Sequence, residues 1–352
     1  MSILQLLLAF LLILWTLYVL YYYILLIASA IKVREQEPPE GANQKLRFAL
    51  LVPAHNEEMV IGKTVRKMKK LNYDKDLFDV VVIADNCSDR TEEMAKEAGA
   101  VSLLRNSEPS GRKGFAIEWY FDEVLPLNHS YDAIIIFDAD SQPDPNFLLT
   151  MSSHLRLGQS VLQGRHVISN PEDSAFTRLA DIDMRTNNRL RNFAKRNLGL
   201  SCRLMGDAMC FERSVLERYE WGAESLVEDR EYGIQLVSEG VEIAFVPEAE
   251  SRGQAAAGWA QGKSQRLRWV GGVNNLRRKY GFDLLSTGLR NRNWSAIDQS
   301  LELLSPPFSL MIAGAVFLLL VQLLYSPIGF NGSMWITAAI AAGLFLVPVI
   351  GL

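Results

Sequence analysis

The chain has 352 residues, enough for one large domain with membrane segments or for two domains. Its formal net charge of −4 gives no general case for nucleic-acid binding. Its three cysteines have neither disulfide nor zinc spacing, so we expect reduced core residues in a cytosolic domain.

The first predicted element is a membrane helix within residues 1–31. Ile3 to Ala30 is almost wholly apolar and uncharged, and a bilayer core needs about 20 such residues. The run is too long for a signal peptide and has no basic start, so we predict an uncleaved helix. The residues that follow it are basic, which by the positive-inside rule places the rest of the chain in the cytoplasm at the inner (plasma) membrane. These residues are Lys32, Arg34, Lys45 and Arg47.

A cytoplasmic domain of alternating strands and helices is predicted over residues 45–275. Its buried strands are expected at Arg47–Pro53, Val80–Ala84, Val101–Arg105 and Ala133–Ile136. Strands separated by helices predict a parallel sheet with helices on both faces. The later part alternates less regularly, with strands expected at Val161–His166, Ala208–Phe211 and Val241–Val246. The fold class is therefore α/β, with a mixed but mainly parallel sheet.

Two helix starts in this domain carry capping signals. Asn56 is predicted to cap a helix that reaches about Leu71. Asp89 to Glu92 has the form of a capping box, and the helix it opens should end near Gly99.

The end of the chain is again apolar. Residues 284–304 are expected to form an amphipathic helix, either on the membrane surface or packed on the cytoplasmic domain. Residues 305–352 are expected to form two more membrane helices, at Leu303–Tyr325 and Trp335–Leu352.

Two carboxylates follow the strand Ala133–Ile136 directly. Side chains two apart on an extended segment point the same way, so Asp138 and Asp140 are expected to converge. Two carboxylates at such a short distance repel each other unless they share a proton or a cation lies between them. A polar turn that ends at Pro143 is the plain alternative for this pair alone.

Other polar groups also follow predicted strands, and the carboxyl ends of parallel strands meet at one edge of a sheet. They are His55, Asn56, Glu57 and Asp85. Lys113 lies between two glycines on a loop that enters a helix, which suits a phosphate. The P-loop and dinucleotide motifs are absent from the sequence. Acidic groups beside a basic loop predict a nucleotide diphosphate held with Mg²⁺ or Mn²⁺.

Six short motifs occur in the order Val52–Glu58, Ala84–Asp89, Gly111–Gly114, Phe137–Asp140, Val227–Asp229 and Gln265–Trp269. This series resembles the family 2 glycosyltransferases with the GT-A fold. It is most similar to their membrane-embedded branch, which contains cellulose, chitin and hyaluronan synthases and ceramide glucosyltransferase. The resemblance covers roughly residues 47–272 and the flanking membrane helices.

The resemblance implies a role for each matching position. Pro53, His55, Asn56 and Glu57 would line the nucleoside pocket, and Asp85 would hold the uracil. Lys113 would lie near the base or the diphosphate. Asp138 and Asp140 would hold the diphosphate and its metal, with Asp140 the more direct ligand. Asp229 would be the general base, and Gln265, Arg268 and Trp269 would close over the donor and form the acceptor site.

Two of these motifs have plain alternatives from the residues alone. Asp229 could belong to a solvated helix start, and Arg268 could belong to a basic patch that only touches anionic lipid. Gly206-Asp207 stands where the synthases have a small-residue loop that touches the acceptor, which suggests a different acceptor here.

The expected function is inverting transfer of a sugar from a UDP-sugar to a growing envelope polysaccharide. A glycolipid synthase that adds one sugar to a membrane lipid is the first alternative, favoured by the few membrane spans. With so few spans one chain would be too small to enclose a sugar channel, which leaves a homo-oligomer open. An inactive scaffold or export subunit is the alternative of another class, and the filled acidic positions argue against it.

Overall fold

The computed structural model describes residues 3–31, 45–222, 225–256 and 258–306, with scattered positions between 310 and 342. The first element is the predicted apolar helix, α1 (Ile3–Ala30). Within the described residues, Ala9–Ala30 is the one stretch whose length and composition would allow it to cross a membrane. Most of the two predicted C-terminal membrane helices, within residues 305–352, lies outside the described residues.

A mixed sheet of eight strands forms the centre of the domain. In chain order the strands are β1 (Phe48–Ala54), β2 (Phe78–Asp85), β3 (Val101–Arg105), β4 (Ala133–Ile136), β5 (Gln142–Pro143), β6 (Val161–Ile168), β7 (Met209–Glu212) and β8 (Ile243–Gly253). Across the sheet they run β3-β2-β1-β4-β7-β6-β8-β5. The first four strands by sequence are parallel, β7 is antiparallel to both β4 and β6, and β8 is parallel to β6. The predicted mixed, mainly parallel α/β sheet is confirmed.

Helices cover both faces of this sheet. They are α2 (Ile61–Met68), α3 (Thr91–Glu97), α4 (Lys113–Trp119), α5 (Phe147–Arg156), α6 (Ala175–Thr186), α7 (Ala194–Asn197), α8 (Arg213–Arg218), α9 (Glu228–Ser238), α10 (Trp259–Asn291) and α11 (Trp294–Leu304). A π-helical segment, Asn187–Phe193, joins α6 to α7. The last long helix, α10, continues beyond residue 275, where the sequence analysis ended the domain.

The two apolar layers follow from the alternation of side chains along buried strands. In β4, Ile134 and Ile136 point into one layer, which they share with α4 and α9. Ala133 and Ile135 point into the other layer, which they share with α2 and α5. Because both faces are covered, every residue of this strand is buried, as its uninterrupted apolar sequence predicts.

The two predicted helix caps have different outcomes. Asn56 was predicted to cap α2, but that helix begins only at Ile61. Asn56 has a positive φ of 56° and accepts a hydrogen bond from the backbone N–H of Ser88 at 2.8 Å. An asparagine tolerates this left-handed conformation, so here it shapes the loop after β1.

The second prediction is correct in part: Asp89 Oδ1 accepts from the N–H of Thr91, the first residue of α3, at 3.0 Å. However, Glu92 pairs with Lys96 and does not complete a capping box.

The predicted helix over residues 284–304 is two helices. The chain turns at Arg292, whose φ is 54°, and Asn293 caps α11 by accepting from the N–H of Ala296 at 3.0 Å. Helix α11 then packs on the domain: Ser300 is fully buried and donates to the carbonyl of Gly281 on α10 at 2.7 Å. The structure therefore has the packed helix, which was the second of the two expectations.

Candidate active site

The turn that follows β4 carries two half-buried carboxylates, Asp138 and Asp140. The backbone N–H of Asp138 donates to Ser141 Oγ at 3.1 Å and lies 3.2 Å from Asp207 Oδ1. Asp140 Oδ2 accepts from the backbone N–H of Gln254, just past β8, at 2.7 Å. Burial, together with the neighbouring carboxylates, raises the pKa of Asp140. A cation at this turn would relieve that crowding of negative charge.

The buried pair of His166 and Asp207, which the sequence did not indicate, packs against this turn. His166 Nδ1 lies 2.7 Å from Asp207 Oδ2, and Ser141 Oγ donates to the other oxygen of Asp207 at 2.6 Å. Burial opposes ionisation of Asp207, but His166 outweighs it and lowers the pKa of this carboxyl. Asp207 is thus a buried anion that orients the turn through Asp138. A carboxylate beside Gly206 was the only sign of it in the sequence.

Asp85, which was predicted to hold the uracil, is deeply buried at the end of β2. Its side chain is only 5% exposed, and Oδ1 accepts from Arg105 Nη1 at 2.6 Å and from Asn86 Nδ2 at 2.9 Å. The carbonyl of Asp85 accepts from His55 Nδ1 at 2.7 Å. The position of Asp85 is therefore fixed by contacts from two neighbouring strands.

Lys113, at the start of α4, links two sides of the site. Its ammonium donates to Asp138 Oδ1 at 2.5 Å and to the carbonyl of Gly206 at 2.6 Å. Burial acts to lower the pKa of Lys113, but Asp138 and other nearby carboxylates outweigh it and raise this pKa. The lysine is a fixed positive charge between the acidic turn and the loop before β7.

Asp229 lies on the far side of that loop, in the first turn of α9. A Cβ added to Gly206, whose φ is +84°, would lie 3.3 Å from Asp229 Oδ2. Burial raises the pKa of Asp229 to about 6, and the neighbouring charge of Glu228 contributes in the same direction. A carboxylate with a pKa near neutrality is matched to accepting a proton.

Three of the predicted residues lie in the first half of α10 and are exposed. Gln265 and Arg268, one helical turn apart, line the same cleft as Asp138 and Asp140. Trp269, 44% exposed, is not among the residues that line this cleft.

One open cleft at the carboxyl edge of the sheet brings together most of the predicted site residues. Its lining includes Pro53, His55, Glu57, Asp85, Lys113, Asp138, Asp140, Gln265 and Arg268. Asn56, Asp229 and Trp269 are not in that lining, and Asn170 and Asp173, which the sequence analysis did not single out, are. Burial and the charges of the acidic turn raise the pKa of Glu57 as well.

The described residues contain no group of three or more His, Cys, Asp or Glu side chains arranged to hold a metal ion. Asp138 and Asp140 lie on one turn, and Glu57 adds a third carboxylate nearby. This arrangement nevertheless fits a divalent cation whose remaining oxygen ligands would come from a bound diphosphate. The residues present are thus compatible with Mg²⁺ or Mn²⁺.

A mixed α/β sheet with an acidic turn, a lysine and a buried carboxylate at its carboxyl edge is the architecture of a nucleotide-sugar glycosyltransferase with the GT-A fold. A family model described as "Glycosyltransferase like family 2" matches residues 46–272. The chain therefore belongs to glycosyltransferase family 2.

Two curated relatives align with the same region. "Probable glycosyltransferase YdaM" of Bacillus subtilis is 26% identical over 255 residues, which are 68% of this chain and 58% of that protein. "Beta-monoglucosyldiacylglycerol synthase" of Trichormus variabilis is 30% identical over 257 residues, which are 69% of this chain and 52% of that protein. The chain thus spans about half the length of the curated relatives it matches.

A solved structure is similar to this chain in fold. The mannosyltransferase PcManGT from Pyrobaculum calidifontis, in complex with GDP-Man and Mn²⁺, aligns with a TM-score of 0.58 and 14% identity. The alignment covers 97% of this chain and 98% of that one. At this identity the likeness concerns the fold alone.

Proposed function

We propose that this glycosyltransferase moves one sugar, with inversion, from a UDP-sugar to a hydroxyl group of a membrane lipid. The observation that carries the proposal is the position of Asp229, a half-buried carboxylate behind the loop that Lys113 contacts, whose pKa is raised to about 6. Inverting transfer needs a base for the acceptor hydroxyl and positive charge for the leaving diphosphate, which Asp229 and Lys113 would supply.

The donor would lie in the cleft at the carboxyl edge of the sheet. Asp85, fixed by Arg105, would accept from the uracil, and the loop from Pro53 to Glu57 would enclose the nucleoside. Lys113 and Arg268 both line the cleft and would neutralise the diphosphate.

Asp138 and Asp140 would hold the divalent cation, which supplies positive charge to the leaving diphosphate. Asp140 is already held by the N–H of Gln254, so its carboxylate would need little reorganisation when the donor binds. The buried Asp207 would keep the turn in place through the N–H of Asp138.

The sugar transfer needs one general base. Asp229 takes the proton of the acceptor hydroxyl, whose oxygen forms a new bond to the anomeric carbon of the sugar. The bond from that carbon to the diphosphate oxygen breaks, and the electron pair leaves with UDP. Attack from the face opposite the leaving group inverts the anomeric configuration.

Two observations favour a lipid acceptor. The apolar helix α1 packs directly on the catalytic domain through Leu25, Ala28 and Ala194, and a relative 30% identical is named a glucosyldiacylglycerol synthase. We therefore propose an enzyme of the inner (plasma) membrane whose catalytic domain is cytoplasmic. The residues of α1 that precede this contact include exposed apolar side chains suited to lipid, such as Leu7, Phe10 and Ile13.

Extension of an envelope polysaccharide is the second candidate. The exposed Gln265 and Arg268 of the cleft, followed by Trp269 outside its lining, favour it through the resemblance to the polymer synthases. Other relatives, 20–23% identical, are named glucomannan mannosyltransferases or probable ones. The filled acidic positions and the family membership favour an enzyme over an inactive scaffold.

A panel of UDP- and GDP-sugars, assayed for nucleotide release with native membranes, tests the donor. Mass spectrometry of the lipid extract then tests the acceptor: a single added sugar per lipid is expected. A ladder of products would replace the lipid proposal with the polymer one, and no nucleotide release from any donor would refute both.

A further inference from the structure

Three guanidinium groups outside the donor cleft converge on one carboxylate oxygen. Arg191 lies in the π-helical segment after α6, Arg203 lies before β7, and Arg230 lies in the first turn of α9. A nitrogen of each is 3.3 or 3.4 Å from Oε1 of Glu302 on α11. We call Arg191, Arg203 and Arg230 the arginine cluster.

The other oxygen of Glu302 is already engaged. Lys195, which is fully buried, donates to Oε2 of Glu302 at 2.6 Å and lies 2.7 Å from Oδ2 of Asp298. Four cations therefore contact two carboxylates directly, and the lysine takes the shorter distances to both of them. Asp183 and Asp229 act on Arg203 without a direct ion pair between them and the cluster.

The arginine cluster has donor capacity that Glu302 does not use. A guanidinium has five N–H donors, and its charge-assisted bonds to a carboxylate are normally about 2.7–2.9 Å long. The side chains of Arg191, Arg203 and Arg230 remain 28%, 17% and 16% exposed, so they are partly accessible to solvent. Burial lowers the pKa of Arg230 to about 10, and the neighbouring guanidinium groups act in the same direction. The cluster is suited to a second anion.

The position of the cluster indicates where that anion comes from. Arg191 Nη2 lies 3.5 Å from the hydroxyl of Tyr22 on α1, and the adjacent Leu190 is buried against α1. On the other side, Arg230 directly follows Asp229. The cluster thus lies between the apolar helix and the proposed base, where the headgroup of a lipid acceptor would be.

We propose that the arginine cluster binds a phosphate group of the acceptor lipid and so selects an anionic lipid over a neutral one. This inference rests on the proposed lipid acceptor. A tetrahedral phosphate presents several oxygens to three converging guanidinium groups, which recognise such oxygens in pairs. Glu302 keeps the three side chains together when no phosphate is bound.

Binding is the direct test and needs no turnover. The full chain in detergent would be titrated calorimetrically with dihexanoyl phosphatidylglycerol, dihexanoylglycerol and inorganic phosphate. The two lipids have the same acyl chains and both carry a free hydroxyl, and phosphatidylglycerol adds a phosphate and a second glycerol. We expect dihexanoyl phosphatidylglycerol to bind at least about 10-fold more tightly than either other probe, the effect of one or two charge-assisted bonds.

The variants Arg191→Gln and Arg203→Gln should each abolish most of that difference. Arg196→Gln is the matched control, because this neighbouring arginine pairs with Glu248 at 3.2 Å and not with the cluster. UDP binding in each variant reports that the donor site is still folded.

Equal binding of the two lipids, or unchanged selectivity in Arg191→Gln and Arg203→Gln, would overturn the proposal. Binding of inorganic phosphate as tight as that of the phospholipid would overturn its lipid part. Selective phospholipid binding without any sugar transfer would instead refute the proposed function and leave the anion site standing.

Discussion

Replacing the proposed base tests the mechanism most directly. Asp229→Asn removes the charge but keeps the shape of a side chain that lies against Gly206, so the loop has no steric reason to move. A positioned general base contributes about 10²–10⁴-fold to the rate. We expect kcat to fall by at least about 100-fold, with the affinity for UDP unchanged because Asp229 is outside the lining of the donor cleft.

The pH dependence of kcat/KM should follow the ionisation of Asp229. Burial and Glu228 raise the pKa of Asp229 to about 6, and the base accepts a proton only when it is ionised. The value of kcat/KM should therefore be level above that pH and fall about tenfold per pH unit below it. Glu228→Gln removes a like charge beside the base, so it should lower the pKa of Asp229 and move this acidic limb to lower pH.

The assay is release of UDP from the donor by purified protein from about two pH units below the expected midpoint to about two above it. Thermal unfolding of each variant controls for loss of the fold. Two results would refute the reasoning: Asp229→Asn with more than about a tenth of wild-type activity, or an acidic limb that Glu228→Gln leaves in place.

Three further predictions address the donor side. Arg105→Met leaves Asp85 as a buried, unpaired charge, so we expect about 3–5 kcal/mol loss of unfolding free energy by urea denaturation; a loss under about 1 kcal/mol would contradict the pairing. Gly253→Ala places a Cβ 2.7 Å from His166 Cε1 and should cost about 1–3 kcal/mol and weaken UDP binding, whereas Gly258→Ala, with no atom within 4 Å, should do neither. EDTA should stop transfer and Mn²⁺ should restore it; full activity without a divalent metal would remove the cation from the proposal.

The central strands were predictable because β1, β2 and β4 are buried on both faces. A short continuous apolar run such as Ala133–Ile136 is typical of such a strand, and every residue in it is buried. The carboxyl edge was predictable for the same reason, since parallel strands bring Asp85 and Asp138 to one side of the sheet. The roles of these residues came from the resemblance and remain predictions.

The helix starts and the supporting residues were harder, because long-range contacts decide them. Asn56 has the composition of a cap, but its hydrogen bond to Ser88 in the next strand's loop determines its conformation. His166 and Asp207 are 41 positions apart and carry no motif, so only the sheet register brings their side chains together. The arginine cluster could not be predicted from the sequence for the same reason, since its members lie on separate elements.

The lysine between the acidic turn and the loop has a thermodynamic consequence. Lys113 pairs with Asp138, so a divalent cation that binds alone competes with an ammonium ion for the same oxygen. A diphosphate gives that ammonium another anion and releases the carboxylate. Metal and nucleotide should therefore bind with positive coupling, each raising the affinity for the other by the same factor. The enzyme would take up its cation together with the donor instead of holding it between turnovers.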